Sequence, residues 1–215
     1  MNASRVTASV PDTSGRAWAY ATASAFAGGL LLGVLTNLAQ GWLPGAWNQI
    51  ANSGAVWSVA AFAAGALLAL QVSLPAAAVA GLFAESGLVV GYYGYAEVAR
   101  DGMGSLLAPL VWLGMAFIAG PLFGVAGSWW RGINPRHRVI GFAALAGVFG
   151  MEAIHYAWAL HYAPQARACL AVLVIVPLLT GRTHRERALT LLTAIPFSLL
   201  AYLIFYKLIL TTFLG

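Results

Sequence analysis

Seven stretches of about 20 mostly apolar residues divide this chain, and they restrict its fold more than any other feature of the sequence. A helix needs about 20 apolar residues to cross the roughly 30 Å hydrocarbon core of a bilayer. The chain is 61% hydrophobic and 8% charged, whereas a soluble domain carries about 25% charged residues. The sequence therefore predicts an all-α integral membrane protein, a bundle of seven transmembrane helices at residues 17–39, 47–71, 75–96, 105–128, 138–161, 164–181 and 187–213.

The basic residues between these segments predict the orientation of the bundle. With seven crossings, one face collects Arg5, Arg16, Arg131, Arg136, Arg138, Arg182, Arg185 and Arg187, and the other holds only Arg100, Arg167 and Lys207. Cytoplasmic loops carry an excess of arginine and lysine. We therefore expect a cytoplasmic N-terminus and an outward C-terminus. The ratio of ten arginines to one lysine favours a GC-rich bacterial genome, so the expected location is the bacterial cytoplasmic membrane.

Residues 1–16 form a polar tail without the apolar core of a signal peptide, and residues 17–215 are expected to be a single transmembrane domain. The loops are short, and we see no internal repeat. A lone Cys169 excludes intrachain disulfides and CxxC metal sites. Pairs of small residues at helical spacing predict close approach between helices; they are Gly29 with Gly33, Gly87 with Gly91, Gly120 with Gly124, and Gly147 with Gly150.

Two carboxyl groups, Glu85 and Glu152, lie within the apolar segments. An ionised carboxylate at bilayer depth costs about 3 kcal/mol on insertion scales, so it is rarely retained without a task or a partner. The third and fifth helices both run outward, and a rise of about 1.5 Å per residue places the two acids near mid-depth. No lysine or arginine lies at that depth. The sequence therefore predicts that the two acids share a cavity and that at least one stays protonated, as a proton donor.

Other polar and aromatic side chains are expected near these two acids. On the fifth helix, Glu152, His155 and Tyr156 follow at i, i+3 and i+4 and are expected on one face, which makes all three candidate catalytic residues with Glu85. Candidate substrate-binding residues lie mostly in the outward half of the bundle: Asn48, Asn52, Ser53, Trp57, Tyr92, Trp112 and Trp158. Each has a structural alternative, because aromatic residues gather at membrane interfaces and asparagines also cap or join helices.

The remaining motifs restrict the chemistry. The chain has no GxSxG, HExxH or Gly-rich phosphate loop, and we expect no metal, no cofactor and no nucleic-acid partner. The absence of aspartate clusters argues against magnesium-assisted diphosphate ionisation. An acid that protonates an alkene or epoxide, in a dry pocket whose aromatic faces stabilise the carbocation, fits this inventory.

The seven helices, the size and the buried acids among aromatics resemble the small membrane-bound terpene cyclases of bacterial drimentine-type and fungal meroterpenoid pathways. The resemblance implies cyclisation of a farnesyl-type chain, with Glu85 and Glu152 in the acidic roles and a hydrophobic isoprenoid and the lipid bilayer as partners. This chain departs from that pattern because residues 187–213 contain no acid. The stretches WNQIANSGAVW (47–57) and ESGLVVGYYGY (85–95) also resemble those of a family of actinobacterial seven-helix proteins.

Two alternatives remain open at this point. The first is a transport component that binds a polar metabolite in the outward half of the bundle, as the substrate-binding subunits of energy-coupling-factor importers do. The second is a structural or assembly bundle without a ligand. The outward location of the polar residues favours transport, whereas aromatic richness and the lack of cationic anchors favour cyclisation.

Overall fold

A computed structural model describes residues 15–68, 73–100 and 102–213, and these residues form helices and no strand. The all-α prediction is confirmed. Most of the predicted polar tail, with Arg5, lies outside the described residues, as do Asp101 and the last residues of the predicted second segment. The first helix begins at Gly15, two residues before the predicted start.

Seven helical stretches are long and apolar enough to cross a membrane, in agreement with the predicted number. They are Trp18–Trp42, Gly45–Leu68, Leu74–Ala99, Leu107–Arg131, Pro135–Ala159, Ala163–Thr180 and His184–Ile209. The helices within them are α1 (Gly15–Trp42), α2 (Asn48–Ala51), α3 (Gly54–Leu68), α4 (Leu74–Ala99), α5 (Leu107–Arg131), α6 (Pro135–Ile154), α7 (Ala163–Thr180), α8 (His184–Tyr202) and α9 (Thr211–Phe213). A 3₁₀ turn, Gly45–Trp47, precedes α2.

Packing between the helices depends on small residues. α1 packs on α4, α4 on α5, α3 against both α4 and α5, α5 on α6, and α6 on α7 and α8. A Cβ added at Gly65 of α3 would collide with the Gly124 carbonyl of α5, and one at Gly29 of α1 would collide with the Ala84 carbonyl of α4. The predicted close approach at the glycine pairs is therefore confirmed, and it brings α3, α4 and α5 together around the middle of the bundle.

The second apolar stretch is broken within its length, unlike the unbroken segment predicted at 47–71. α2 ends at Ala51, and α3 begins at Gly54. Ser53 caps the new helix, since its Oγ accepts a hydrogen bond from the Val56 amide at 3.3 Å. The first turn of α3 thus begins inside the bundle, where its amide groups need partners.

Two π-helical segments interrupt the regular helices near the same end of the bundle. His155–Ala159 continues α6, and Leu203–Leu210 continues α8. A π-helical turn shifts the register of the side chains that follow it, so the simple i, i+3, i+4 face expected for Glu152, His155 and Tyr156 is not a reliable guide to what each residue contacts.

The opposite end carries the loops 131–135 and 180–184, and we call it the arginine-rich end because it holds Arg131, Arg136, Arg138, Arg182, Arg185 and Arg187. Here Arg138 of α6 forms a buried ion pair with Glu186 of α8. Arg138 also donates to the carbonyl oxygens of Gly132 and Ile133, at 3.3 and 3.0 Å. The ion pair joins α6 to α8, so Glu186 has a structural role.

Candidate functional site

A cavity of about 270 Å³ lies between α3, α4, α5, α6 and α8. Its wall is almost wholly apolar, and among its lining residues only Glu85 and Ser58 have polar side chains other than the indole N–H of Trp112. The Ser58 hydroxyl is engaged, because it donates to the Gly54 carbonyl at 2.8 Å. The carboxyl of Glu85 is therefore the one acidic group in the lining.

Glu85 is supplied by α4 and is held without a polar partner. Its side chain is 5% exposed, and its Oε2 atom has no hydrogen-bond partner among the described residues. Ala84, Leu88 and Val89 around it on α4 are buried as well. A buried polar group without a hydrogen bond is destabilising, so Glu85 does not contribute to folding stability through a polar contact and is the candidate group of this cavity.

Aromatic rings contribute much of the cavity wall: Trp112, Phe123, Phe197 and Phe205. The faces of such rings attract cations, most strongly where water is excluded. The cavity therefore combines one carboxyl with four aromatic side chains.

The cavity opens on the side of the bundle, between α5 and α8. α5 packs on α3, α4 and α6, while α8 packs on α6 and α7, so these two helices leave a gap between them. Lining residues at the gap are also exposed on the outer surface: Leu122 at 64%, Ile118 at 56%, Leu200 at 55% and Ile204 at 45%. The two stretches approach each other at Trp112 and Phe205, whose ring centroids lie 5.7 Å apart.

Glu152 has a different environment. It is 1% exposed, and its Oε2 accepts a hydrogen bond from the Tyr206 hydroxyl at 2.7 Å. Its Oε1 lies at the start of α3, where the Ala55 amide donates to it at 3.4 Å and the Gly54 amide also faces it. The N-terminus of a helix carries a partial positive charge, so the carboxyl of Glu152 caps α3 from another helix.

The structure does not bring the two carboxyls into one cavity. Glu152 is absent from the residues lining the cavity, although its neighbour Met151 lines it. Gly54 connects the two regions: it lines the cavity with Glu85, and its Cβ position lies 3.6 Å from Glu152 Oε1. The expected acid pair is thus two separate sites that meet at the first residue of α3.

His155 and Tyr156 belong to the surroundings of Glu152 rather than to the cavity. The His155 ring stacks on the Tyr206 ring, with centroids 3.7 Å apart and an interplanar angle of 7°. Its Nδ1 is buried and has no hydrogen-bond partner in the part of the chain that the structure describes. Tyr156 is 2% exposed and packs in the apolar cluster around Cys169. Neither residue is placed to touch a molecule in the cavity.

Among the predicted substrate-binding residues, Trp112 lines the cavity. Trp57 is buried behind it, with its ring centroid 4.7 Å from that of Trp112 and 5.4 Å from that of Tyr92. Tyr92 donates its hydroxyl to Gln40, and its carbonyl accepts from Asn37 at 3.0 Å. Trp57 and Tyr92 thus support the cavity wall from behind.

The remaining predicted binding residues lie elsewhere. Asn48 is the first residue of the short α2 and Asn52 follows its last residue; the Asn52 Oδ1 is buried, with no partner among the described ranges. Ser53 is occupied as the cap of α3. Trp158 is 72% exposed on the outer surface, where an interfacial aromatic is expected.

Sequence reasoning missed Tyr206, Phe205 and Gly54. Tyr206 lies 54 residues beyond Glu152 along the chain, so no local spacing could reveal their contact. Gly54 resembled one more small packing residue, and its meaning depends on the helix break that it begins. Phe205 could have been suggested only by the general enrichment of the last segment in aromatics.

A second cavity, of about 480 Å³, lies between α1 and α3 and is lined mainly by alanine, glycine and leucine, with Ala84 of α4 at its floor. None of its lining residues is acidic or basic. We call it the α1–α3 groove. A substitution in this groove can serve as a control for the same substitution at the Glu85 cavity.

Within the described ranges, no three His, Cys, Asp or Glu side chains gather closely enough to hold a metal ion. Comparisons of the chain with curated proteins and with solved structures found no match. One family model matches residues 12–211, which is nearly the whole chain and includes every helix that lines the cavity. The chain therefore belongs to the family described as "Family of unknown function (DUF6518)".

Proposed function

We propose that this protein is an integral membrane enzyme that cyclises a lipid-dissolved prenyl chain of the farnesyl type by protonating it from Glu85. In this proposal the seven apolar helices cross the bacterial cytoplasmic membrane with the arginine-rich end in the cytoplasm. The observation that carries the proposal is the unpartnered Glu85 carboxyl in an apolar, aromatic-lined cavity.

The reaction begins with a proton transfer. The neutral carboxyl of Glu85 donates its proton to one carbon of a terminal alkene, and the π electrons form the new C–H bond. A tertiary carbocation results, and the electrons of the next alkene along the chain attack it to close a ring. The resulting cation loses a proton to the Glu85 carboxylate, which restores the acid. The product is an isomer of the substrate, and no oxidant or reductant is needed.

The wall of the cavity suits such an intermediate. The faces of Trp112, Phe123, Phe197 and Phe205 stabilise positive charge by about 0.5 to 2 kcal/mol for each well-placed ring. Apart from Glu85 and Ser58, whose hydroxyl is bonded to the Gly54 carbonyl, the lining consists of apolar side chains, which exclude the water that would quench a carbocation. General acid catalysis by a positioned carboxyl contributes about 10²- to 10⁴-fold in rate.

The chemistry of the lining favours an apolar ligand over the polar metabolite of a transport component. Two of the polar side chains that suggested a polar site are engaged by other protein groups, since the Tyr92 hydroxyl donates to Gln40 and Ser53 caps α3. Ligand sites are usually apolar with a few placed polar groups, which describes the Glu85 cavity.

The test uses the purified full chain in lipid vesicles that contain prenylated aromatic or epoxidised prenyl substrates. We expect cyclic products of unchanged mass by gas chromatography and mass spectrometry, and their loss in Glu85→Gln. Glu97→Gln is the matched control, because Glu97 lies on the same helix but is exposed at its end. Saturable binding of a water-soluble metabolite without any isomerisation would replace this proposal with transport.

A further inference from the structure

The position of the side opening restricts which end of a substrate reaches Glu85. On α5, Ile118 lies 11 residues after Leu107, and Leu122 lies nine residues before Arg131. At about 1.5 Å per residue, Ile118 lies about 17 Å from the first end of α5 and Leu122 about 14 Å from the last end. On α8 and the π-helical segment that continues it, the exposed lining runs from Leu200 to Ile204, nine to five residues before Ile209. The opening therefore faces the interior of the apolar layer rather than either polar interface.

A molecule with a polar head group cannot bring that head to the opening without burying it in hydrocarbon. Moving a polar group without partners into an apolar medium costs several kcal/mol, and the lining offers only Glu85 and Ser58 as polar side chains besides Trp112. The part that enters must be the apolar end of a chain whose head stays at the membrane surface.

Length and volume together set the size of that chain. An isoprene unit contributes four bonds and extends by about 5 Å, since three chain bonds span about 3.8 Å in a peptide. The helical rise places the centre of the opening about 10 to 16 Å from the nearest helix ends. A chain whose head stays at the membrane surface therefore needs about two to three isoprene units to reach the opening. Inside, 270 Å³ holds roughly nine groups the size of water, at about 30 Å³ each, which corresponds to about two units.

We propose that the substrate is an amphiphilic isoprenoid with a polar head and a chain of about four to five isoprene units, which enters tail-first between α5 and α8. This rests on the proposed function and refines its farnesyl-type chain to a longer one. The terminal double bond, farthest from the head, is the one that Glu85 protonates.

The experiment compares substrates with one common polar head and chains of two, three, four and five isoprene units, each at the same mole fraction in vesicles that contain the purified protein. We expect the four- and five-unit chains to be cyclised at least tenfold faster than the two-unit chain, with the three-unit chain between them. Conversion of the two-unit chain as fast as the five-unit chain would overturn the tail-first inference while leaving acid catalysis by Glu85 intact. If no chain is converted, the proposed function fails instead.

A variant at the opening supplies an independent measurement. Leu122→Trp adds bulk at the rim on an exposed surface, and Leu67→Trp adds the same bulk at the α1–α3 groove, where Leu67 is 78% exposed. We expect Leu122→Trp to lower conversion of the five-unit chain at least fivefold and Leu67→Trp to leave it unchanged. Equal activity of the two variants would exclude entry between α5 and α8.

Discussion

Glu85 and Glu152 look alike in the sequence but differ in nearly every contact. Both are acids within apolar segments, and both are almost fully buried, at 5% and 1% exposure. Glu152 accepts hydrogen bonds from the Tyr206 hydroxyl and the Ala55 amide. Glu85 has an oxygen for which residues 15–68, 73–100 and 102–213 supply no hydrogen-bond partner, and it lines a cavity.

Burial alone therefore does not distinguish a candidate catalytic acid from a structural one. The partners of Glu152 are the amides of a helix N-terminus, which favour a carboxyl by the direction of their dipoles. A group bonded in this way stabilises the break between α2 and α3, and it has little freedom to act on a substrate. Glu85 gains nothing comparable from its surroundings, so its free oxygen is available to a molecule in the cavity.

The largest expected effect is on activity at Glu85. Replacement by glutamine keeps the shape but removes the acidic proton, and we expect cyclisation to fall by about 10²- to 10⁴-fold, the usual contribution of a general acid. The thermal stability of the purified protein should change little, because glutamine keeps the volume of the side chain and replaces one neutral buried polar group by another. Product formation and thermal unfolding in detergent measure the two quantities.

Glu152→Gln tests whether Glu152 takes part in the reaction together with Glu85. It should retain activity within about tenfold, since Glu152 does not line the cavity, and an amide oxygen can still accept bonds from α3. A loss of activity equal to that of Glu85→Gln, in a folded protein, would show that the two acids act as a pair after all.

The next largest effect is on stability at Glu152. In Glu152→Ala the amides of Gly54 and Ala55 and the Tyr206 hydroxyl lose their acceptor in a buried place. Each unsatisfied buried group costs about 1 to 3 kcal/mol, so for these three groups we expect a loss of at least about 3 kcal/mol in the free energy of unfolding. Glu97→Ala is the exposed control; it removes one hydrogen bond, from the Met103 amide at 2.9 Å, and should cost no more than about 1 kcal/mol. Similar stability of the two variants would contradict the capping role.

Much of the fold follows from local sequence signals. The seven apolar segments are long enough to be recognised without tertiary information, and the glycine pairs identify close helix contacts such as Gly65 with Gly124. The starts of α6 and α8 differ from the predicted positions by three residues. Both helices begin after a typical N-cap residue. Asn134 precedes Pro135 at the start of α6, and the Thr183 hydroxyl accepts a hydrogen bond from the Glu186 amide at 3.1 Å at the start of α8.

The candidate site could be predicted only in part. Glu85 was identified by the cost of an acid in an apolar segment, which is a property of one position. The separation of Glu85 from Glu152 could not be identified, because it depends on the helix break at Ser53. That break is stabilised by Glu152, almost 100 residues away along the chain, and small polar residues such as Asn52 and Ser53 do not by themselves end a helix in an apolar segment.

A smaller effect is expected at Tyr206. Tyr206→Phe removes the hydroxyl that donates to Glu152 Oε2 and keeps the ring that stacks on His155. Hydrogen bonds between helices in membranes contribute about 0.6 to 1.7 kcal/mol, so we expect a loss of about 1 kcal/mol and little change in activity. Tyr202→Phe is the control on the same helix, since the described contacts of Tyr202 are ring contacts. A loss of activity beyond tenfold in Tyr206→Phe would place the hydroxyl in the reaction.

The smallest effect is expected at Ser53, where the two regions meet. Ser53 Oγ accepts from the Val56 amide, one residue beyond the amide that Glu152 accepts from. A serine cap contributes about 0.5 to 2 kcal/mol, and we expect Ser53→Ala to lose about 1 kcal/mol in unfolding free energy. Because both residues hold the same helix N-terminus, Ser53→Ala combined with Glu152→Gln should depart from additivity by more than about 0.5 kcal/mol. Ser53→Ala combined with Glu85→Gln should be additive, since no hydrogen bond joins Glu85 to the start of α3. Coupling between Ser53 and Glu85, measured by the same double-mutant cycle, would mean that the cavity and the cap form one site.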